Sequence, residues 1–248
     1  MPREAGTGDS AIVQAARVSY GAGTKSVSDD RALIRYLMRH RHTTPFEMVE
    51  FKFHIRAPIF VARQWLRHRT ASVNEMSARY SIVPDDYFLP DELRKQSMTR
   101  GQGGEEPLIG TVGSNLVQKQ KASCDLAFHT YDELIRKGVS RELARCHLPQ
   151  STFTEFYWKI NLHNLLHFLE LRIEDHAQKE IRDLAKQVYE CIKPIVPVTC
   201  EAFEDFRLGS VTLSRLEVEA LRSGTRSIPG KGENTEFQEK ISRLKLDV

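Results

Sequence analysis

The spacing of apolar and polar residues predicts a chain that is mostly helical, with a few strands. In segment 29–41, four apolar residues recur at helical intervals, with acidic residues at the start and basic residues at the end, as a helix dipole favours. In segment 48–56, MVEFKFHIR, apolar and polar residues alternate strictly, which predicts a half-buried strand. Pro58 can open a helix that runs to Arg69, because proline is tolerated at the first helical position. A polar loop follows it.

The pattern beyond this loop alternates between further strands and longer helices. RYSIV at 79–83 is predicted to be a second strand, and the Pro- and Gly-rich stretch 83–107 to be a loop. A long amphipathic helix is expected at about 113–137, stopped by Gly138. The remaining predictions are a short helix from Ser140 through Leu148, a strand at 151–160, a helix from a cap at Asn161 almost to Pro194, and two helices near 199–207 and 211–222.

These elements predict a single α+β domain. No internal repeat and no clear linker divides the sequence, so residues 1–223 are assigned to one domain. Residues 224–248 are predominantly polar and are assigned to a C-terminal tail.

Composition and charge exclude several classes of protein. The 248 residues are 40% hydrophobic and 28% charged, which is ordinary for a globular protein. A formal charge of +3 is too mild for a dedicated nucleic-acid binder. The four cysteines, at 124, 146, 191 and 200, include no C-x-x-C pair, which favours reduced thiols. Neither an apolar run of membrane-spanning length nor a signal-peptide core is found, so we expect a soluble, intracellular protein.

The stretch RHRTASVNEMSARY at 67–80 carries the strongest chemical signal. Segment 58–81 holds four arginines and one glutamate, so its net charge equals the +3 of the whole chain. Gln64, Arg67 and His68 share one face of the predicted helix. Arginine presents a planar fork of donors that matches phosphate, and the small polar residues that follow leave backbone N–H groups accessible to an anion. The segment therefore predicts a site for a phosphate-bearing small molecule.

Two other interpretations of this segment remain open on physical grounds. An arginine cluster is often a solvated face or an internal set of ion pairs. A nucleic-acid groove would need more lysines and a track of aromatic residues, whereas the segment offers only Trp65 and Tyr80.

The same stretch matches every fixed position of the signature R-H-R-x-x-S-x-N-E-x-S-x-R-Y, and the chain thereby resembles the flavin-dependent thymidylate synthases (ThyX). The resemblance spans most of residues 11–205. It continues in AARVSYG at 15–21, HTTPFE at 42–47, APIFVARQWLRHR at 57–69, RELARCHLP at 141–149 and LRIEDHAQKEI at 171–181.

The resemblance implies a fold, a reaction and an assembly. The fold would be a set of mixed helices with a small antiparallel sheet. The reaction would be the reductive methylation of dUMP to dTMP, with methylenetetrahydrofolate as carbon donor and FAD, reduced by NADPH, as hydride source. The protein would be a cytoplasmic homotetramer with active sites between subunits, and it would need no metal, nucleic acid or membrane.

The resemblance also assigns site residues. Those matching dUMP contacts are Gln64, Arg67, Glu75, Met76, Ser77, Ala78, Arg79, Arg145 and Arg172, with Arg145 reaching the nucleotide from another subunit. Those matching FAD contacts are Ser19, Thr44, Glu47, Arg67, His68, Arg69, Glu75, Asn161, His163, His167 and His176. Arg172 matches the family arginine that sits beside the uracil and favours its ionisation at N3, so it is the predicted catalytic residue.

Other chemistry is less well supported by the residues. Cys146 and His147 resemble a nucleophile and base, but we interpret the pair as structural. Ser77 lacks the G-x-S-x-G elbow of hydrolases. His163 and His167 have the i, i+4 spacing of zinc ligands but neither the intervening Glu nor a third ligand. The function class that stays open beside the enzyme is a nucleotide- or RNA-binding module without redox chemistry.

Overall fold

The computed structural model describes residues 8–20, 30–98 and 103–244. The helices are α1 Gly8–Arg17, α2 Asp30–Arg39, α3 Thr44–Glu47, α4 Ile59–Trp65, α5 Thr111–Arg136, α6 Arg141–Ala144, α7 Leu162–Ile173, α8 Lys179–Ile192, α9 Pro197–Phe203, α10 Arg215–Arg222 and α11 Lys231–Leu244. The strands are β1 Glu50–Pro58, β2 Ser72–Glu75, β3 Arg94–Gln96, β4 Gly104–Pro107 and β5 Phe153–Asn161. Short turns of 3₁₀ helix follow α1 and α6, and a π-helical turn follows α9.

A three-stranded antiparallel sheet with the order β1–β5–β2 forms the centre of the fold. The strict alternation in β1 turns one set of side chains toward the core, where Phe53 lies 6.0 Å from Trp158 of β5, ring centre to ring centre. Strands β3 and β4 form a separate two-stranded antiparallel pair. The predicted α+β class with a small antiparallel sheet is confirmed.

Aromatic packing on this sheet positions the two helices that matter for the site. Trp65 in the last turn of α4 is fully buried, with its ring 5.2 Å from Trp158 and 4.5 Å from Phe168 of α7. Burial of each such side chain contributes about 2–3 kcal/mol, so α4 and α7 are held firmly against β5. The residues that follow Trp65 therefore come close to the C-terminal end of α7.

Several sequence predictions agree with the structure. The long helix occupies Thr111–Arg136 and ends before Gly138, whose φ of 81° is one that glycine adopts readily. Asn161 caps α7 by accepting a hydrogen bond from the backbone N–H of Asn164 at 2.9 Å. The strands predicted at 48–56 and 151–160 are found as β1 and β5, each shifted by one or two residues.

The prediction of a strand at 79–83 is wrong. The N–H groups of Tyr80 and Ser81 both donate to the carbonyl of Ser77, and the N–H of Val83 donates to the Tyr131 hydroxyl at 3.0 Å. Local turns and a side chain therefore satisfy the donors that a ladder would have used.

The structure differs from the predicted elements in three further regions. The loop after residue 69 contains β2, and the predicted loop 83–107 contains β3 and β4. The helix expected from 161 almost to Pro194 is two helices, because residues 174–178 leave the helical path.

The segment assigned to a polar tail contains α11. Phe237 and Ile241 of this helix are buried against Ala220 and Ile228. Lys240 pairs with the buried carboxylate of Glu217 at 2.8 Å. The domain boundary at 223 remains a prediction.

Candidate functional site

Arg172 and His68 meet at the junction of α4 and α7. Arg172 lies in the last turn of α7, and its Nε donates a hydrogen bond to Nε2 of His68 at 3.0 Å. Because Nε2 accepts this bond, it carries no proton, and His68 is neutral in this arrangement. The edge of its ring contacts Phe168, 4.9 Å away between centres, which fixes the plane of the imidazole.

The surroundings of this pair disfavour a second positive charge. Partial burial, together with smaller effects of the Arg172 charge and of the neighbouring His167, lowers the pKa of His68 to about 4. Burial also lowers the pKa of Arg172, although an arginine stays charged at any working pH. The site therefore presents one partly desolvated cation beside a neutral imidazole.

We expect His68 to make the folded protein sensitive to acid. Between pH 6.5, the ordinary pKa of histidine, and about 4, the unfolded imidazole binds a proton that the folded one does not. The free energy of unfolding should therefore fall as the pH drops through this window. His68→Gln should weaken this dependence, because glutamine can accept the bond from Arg172 but does not titrate. Urea unfolding between about pH 7 and pH 4.5 measures the difference.

The matched control is His129→Gln, since His129 is exposed on α5. It should leave the pH dependence as in the wild type. Equal dependence in wild type and His68→Gln would contradict the assignment of His68 as the titrating group.

A large open cleft runs past Arg172. Its volume is about 3030 Å³, which exceeds the roughly 300–1,000 Å³ of a pocket for one small ligand. Its walls come from the segment that includes β3, from the residues joining α7 to α8, and from one face of α11. Four predicted site residues line it: Gln64, His167, Arg172 and His176. Gln64 also donates a side-chain hydrogen bond to Gln178.

Residues 75–79 form a second cluster at the end of β2. Ladder pairing places Glu75 opposite Phe156, and the N–H of Met76 donates to the carbonyl of Glu155 at 2.9 Å. Glu75 Oε1 accepts a hydrogen bond from Thr154 Oγ1 at 2.7 Å.

The remaining residues of this cluster turn toward α6. The Ser77 hydroxyl accepts from the N–H of Arg79 at 3.3 Å, and Ala78 packs against the apolar cluster around Tyr131. Arg79 pairs with Glu142 of α6. Arg145 lies exposed in the 3₁₀ turn after α6.

Arg79 of this second cluster borders a different cavity from the cleft that Arg172 lines. A shallow pocket of about 430 Å³ is lined by Arg79, Tyr80, Arg141 and Glu142, together with residues around Gly138. None of these residues lines the large cleft, and neither Gln64 nor Arg172 lines this pocket. In one copy of the chain, Gln64 and Arg172 therefore line one cavity and Arg79 lines another.

The remaining predicted flavin residues lie mainly where α3 meets the start of α7. Burial lowers the pKa of His163, while the nearby carboxylate of Glu47 opposes that shift. Thr44 is the first residue of α3, and Asn161 precedes α7 as its cap. Ser19 lies exposed in the 3₁₀ turn after α1.

Three arginines close to Gln64 and His68 in the sequence are exposed cations: Arg63, Arg67 and Arg69. Within residues 8–20, 30–98 and 103–244, none of the three forms an ion pair or a side-chain hydrogen bond. Guanidinium groups that lack an ion-pair partner in this part of the chain suit an anionic group such as a phosphate or diphosphate. The donor set thus fits a cofactor that carries a diphosphate.

The contacts include residues that sequence reasoning did not single out, namely Glu142, Thr154 and Gln178. Glu142 belongs to the recognised block RELARCHLP, so its neighbourhood is signalled by the sequence, but its contact with Arg79 is not. Thr154 and Gln178 carry no signal that separates them from structural polar residues.

Other findings concern chemistry of different kinds. Among the described residues, no group of three or more His, Cys, Asp or Glu side chains is placed to hold a metal ion. Cys146 is exposed, and its Sγ donates to the carbonyl of Glu142 at 3.4 Å. In the described part of the chain, no helix combines the length and the apolar character needed to cross a bilayer.

Comparison with known proteins gives consistent matches. Residues 4–198 match the family model Thy1, described as thymidylate synthase complementing protein. A flavin-dependent thymidylate synthase of Dictyostelium discoideum is 55% identical over 98% of this chain and 82% of its own length. The enzyme of the same name from Thermus thermophilus is 55% identical over 86% of this chain and 78% of its own length.

Solved structures extend the match to three dimensions. The UMP/dUMP methylase PolB from Streptomyces cacaoi, bound with 5-Br dUMP, superposes with a TM-score of 0.71 at 39% identity. The match covers 80% of this chain and 91% of that one.

Proposed function

The chain belongs to the flavin-dependent thymidylate synthases, and we propose that it methylates dUMP to dTMP with methylenetetrahydrofolate as carbon donor and with FAD reduced by NADPH. The observation that carries the mechanism is the hydrogen bond that Arg172, which lines the large cleft, donates to His68. The family match also sets aside the alternative of a binding module without redox chemistry.

Arg172 supplies a fixed positive charge to the base of dUMP. Its Nε is engaged by His68, and no described residue accepts a hydrogen bond from its Nη groups, which remain available to the cleft. A cation about 4 Å from a forming anion stabilises it by roughly 4 kcal/mol at an effective dielectric near 20. That energy corresponds to at most about three pKa units at N3 of the uracil. The ring carbon becomes more nucleophilic without a covalent bond to the enzyme.

His68 orients this cation and adds no charge of its own. Its pKa of about 4 keeps it neutral at working pH, so it accepts from Arg172 and does not repel it. This hydrogen bond restricts the orientation of the guanidinium at the end of α7.

The phosphate of dUMP is held by the second cluster. Arg79 and Ser77 lie together after β2. Arg145 follows α6 directly, and Arg141 and Glu142 of α6 line the pocket of about 430 Å³ together with Arg79. Since this pocket and the Arg172 cleft are separate in one copy, we place each active site between subunits of a homotetramer. Gln64 and Arg172 of one subunit would then face residues 75–79 and Arg145 of another.

FAD would be held mainly by unpaired cations and histidines. Arg67 and Arg69 suit its diphosphate. His163 and His167 are neighbours on α7, and Glu47 of α3 lies near His163. When bound, the flavin supplies the hydride that reduces the transferred carbon. The cleft, at about 3030 Å³, has room for cofactor and substrate together. A cytoplasmic location fits four cysteines that are all free thiols.

An activity assay tests the proposed function. The purified full-length chain, loaded with FAD, should form dTMP from dUMP and methylenetetrahydrofolate, and dUMP should accelerate its oxidation of NADPH. The same assay with the flavin removed should give no dTMP. Formation of dTMP that is independent of FAD, or failure to take up FAD at all, would overturn the proposal.

A further inference from the structure

Glu142 occupies the phosphate-binding edge of Arg79. Both Nε and Nη2 of Arg79 contact a single carboxylate oxygen, Oε1 of Glu142. These two nitrogens form one side of the guanidinium fork, the side that binds two oxygens of a phosphate in parallel. The carboxylate therefore stands where a phosphate group would bind.

In this pocket, Glu142 is the one described acidic residue that would repel a bound phosphate. Among the described residues that line the pocket of about 430 Å³, Glu142 is the only acid, and Arg79 and Arg141 are the cations. Arg141 Nη1 donates to the carbonyl of Tyr80 at 2.8 Å, which ties α6 to the segment that carries Arg79. A dianionic phosphate entering this pocket meets two arginines and must also approach or displace one carboxylate.

Displacement of Glu142 costs little. Its side chain is 52% exposed and that of Arg79 is 53% exposed, so water can solvate either partner once the pair separates. Ion pairs at such sites have small net strengths. The carboxylate can therefore leave without unfolding its surroundings.

We propose that Glu142 is a displaceable competitor for the substrate phosphate, which lowers the affinity of Arg79 for nucleoside monophosphates. This inference rests on the proposed function, because it takes the phosphate of dUMP as the competing anion. Substrate and product carry the same phosphate, so Glu142 lowers the affinity of the site for both dUMP and dTMP. The lower affinity favours replacement of the product by a new substrate molecule.

Titration calorimetry with the FAD-loaded full-length protein tests the proposal. Glu142→Gln keeps the shape and a hydrogen-bond acceptor but removes the charge, so the dissociation constant of dUMP should fall by about two- to fivefold. Glu190→Gln, which removes one negative charge from an exposed position on α8, should leave it unchanged. In an Arg79→Ala background, Glu142→Gln should lose most of this effect if competition for the guanidinium is its cause.

Two results would overturn the inference. An unchanged dissociation constant in Glu142→Gln would mean that the carboxylate does not compete. A higher one would mean that Glu142 holds Arg79 in its binding position. Failure of the site assignment itself is distinguishable, because Arg79→Ala alone would then leave dUMP binding unaltered.

Discussion

Arg172→Ala should lower the turnover number for dTMP formation by about 10²- to 10³-fold, the range found when a donor that stabilises developing charge is removed. The variant lacks the one cation that His68 holds at the end of α7, so negative charge on the uracil is no longer stabilised. Binding of dUMP should weaken by about tenfold or less, since other residues hold the phosphate. Steady-state kinetics at saturating dUMP and titration of dUMP separate the two effects.

The controls for Arg172 distinguish charge from packing. Arg172→Lys keeps the charge but lacks the planar fork that His68 and the substrate share, so its turnover should fall between the wild type and the alanine variant. Arg222→Ala removes an exposed arginine from α10 and should have normal turnover. A normal turnover number in Arg172→Ala would disprove the catalytic assignment.

Arg79→Ala should raise the dissociation constant of dUMP by about 10- to 100-fold, because a charge-assisted hydrogen bond contributes about 1.5–3 kcal/mol. Titration calorimetry of the FAD-loaded protein measures the change, and deoxyuridine, which has no phosphate, should bind the variant and the wild type equally.

The matched control is Arg136→Ala, since Arg136 is an exposed arginine near the end of α5. It removes the same charge from the protein surface and should leave dUMP affinity unchanged. If both variants weakened dUMP binding equally, the effect would come from net charge and not from a contact at Arg79.

Strong local patterns made much of the fold predictable. The alternation of apolar and polar residues in 48–56 is typical of a strand with one buried face, and the segment forms strand β1. Glycine at 138 and asparagine at 161 mark the end of one helix and the start of another through short-range physics alone.

Elements that depend on distant partners could not be predicted in this way. Residues 79–83 have the β-branched and aromatic character of a strand, yet the Tyr131 hydroxyl and the Ser77 carbonyl take the donors that a strand would use. Strands β3 and β4 are short and polar and are stabilised by each other. The burial of Phe237 and Ile241 in α11 depends on their contact with Ala220 of α10, which the local sequence around them does not reveal.

The same limit applies to the site. The signature and its neighbouring blocks identified residue types and their resemblance to a family, and the family is confirmed by the comparisons. Contacts across long sequence separations were not accessible, such as Arg172 with His68 and Arg79 with Glu142. Nor could the pattern reveal that one copy of the chain separates the residues around Arg172 from those around Arg79.

The position of α11 has a practical consequence for labelling. Lys240 and Arg243 of this helix border the large cleft, and Lys240 also pairs with the buried carboxylate of Glu217. An amine-reactive dye that modified Lys240 would break this ion pair and place a bulky group beside the cleft. Fluorescent probes for kinetic work should therefore not be coupled through lysine side chains.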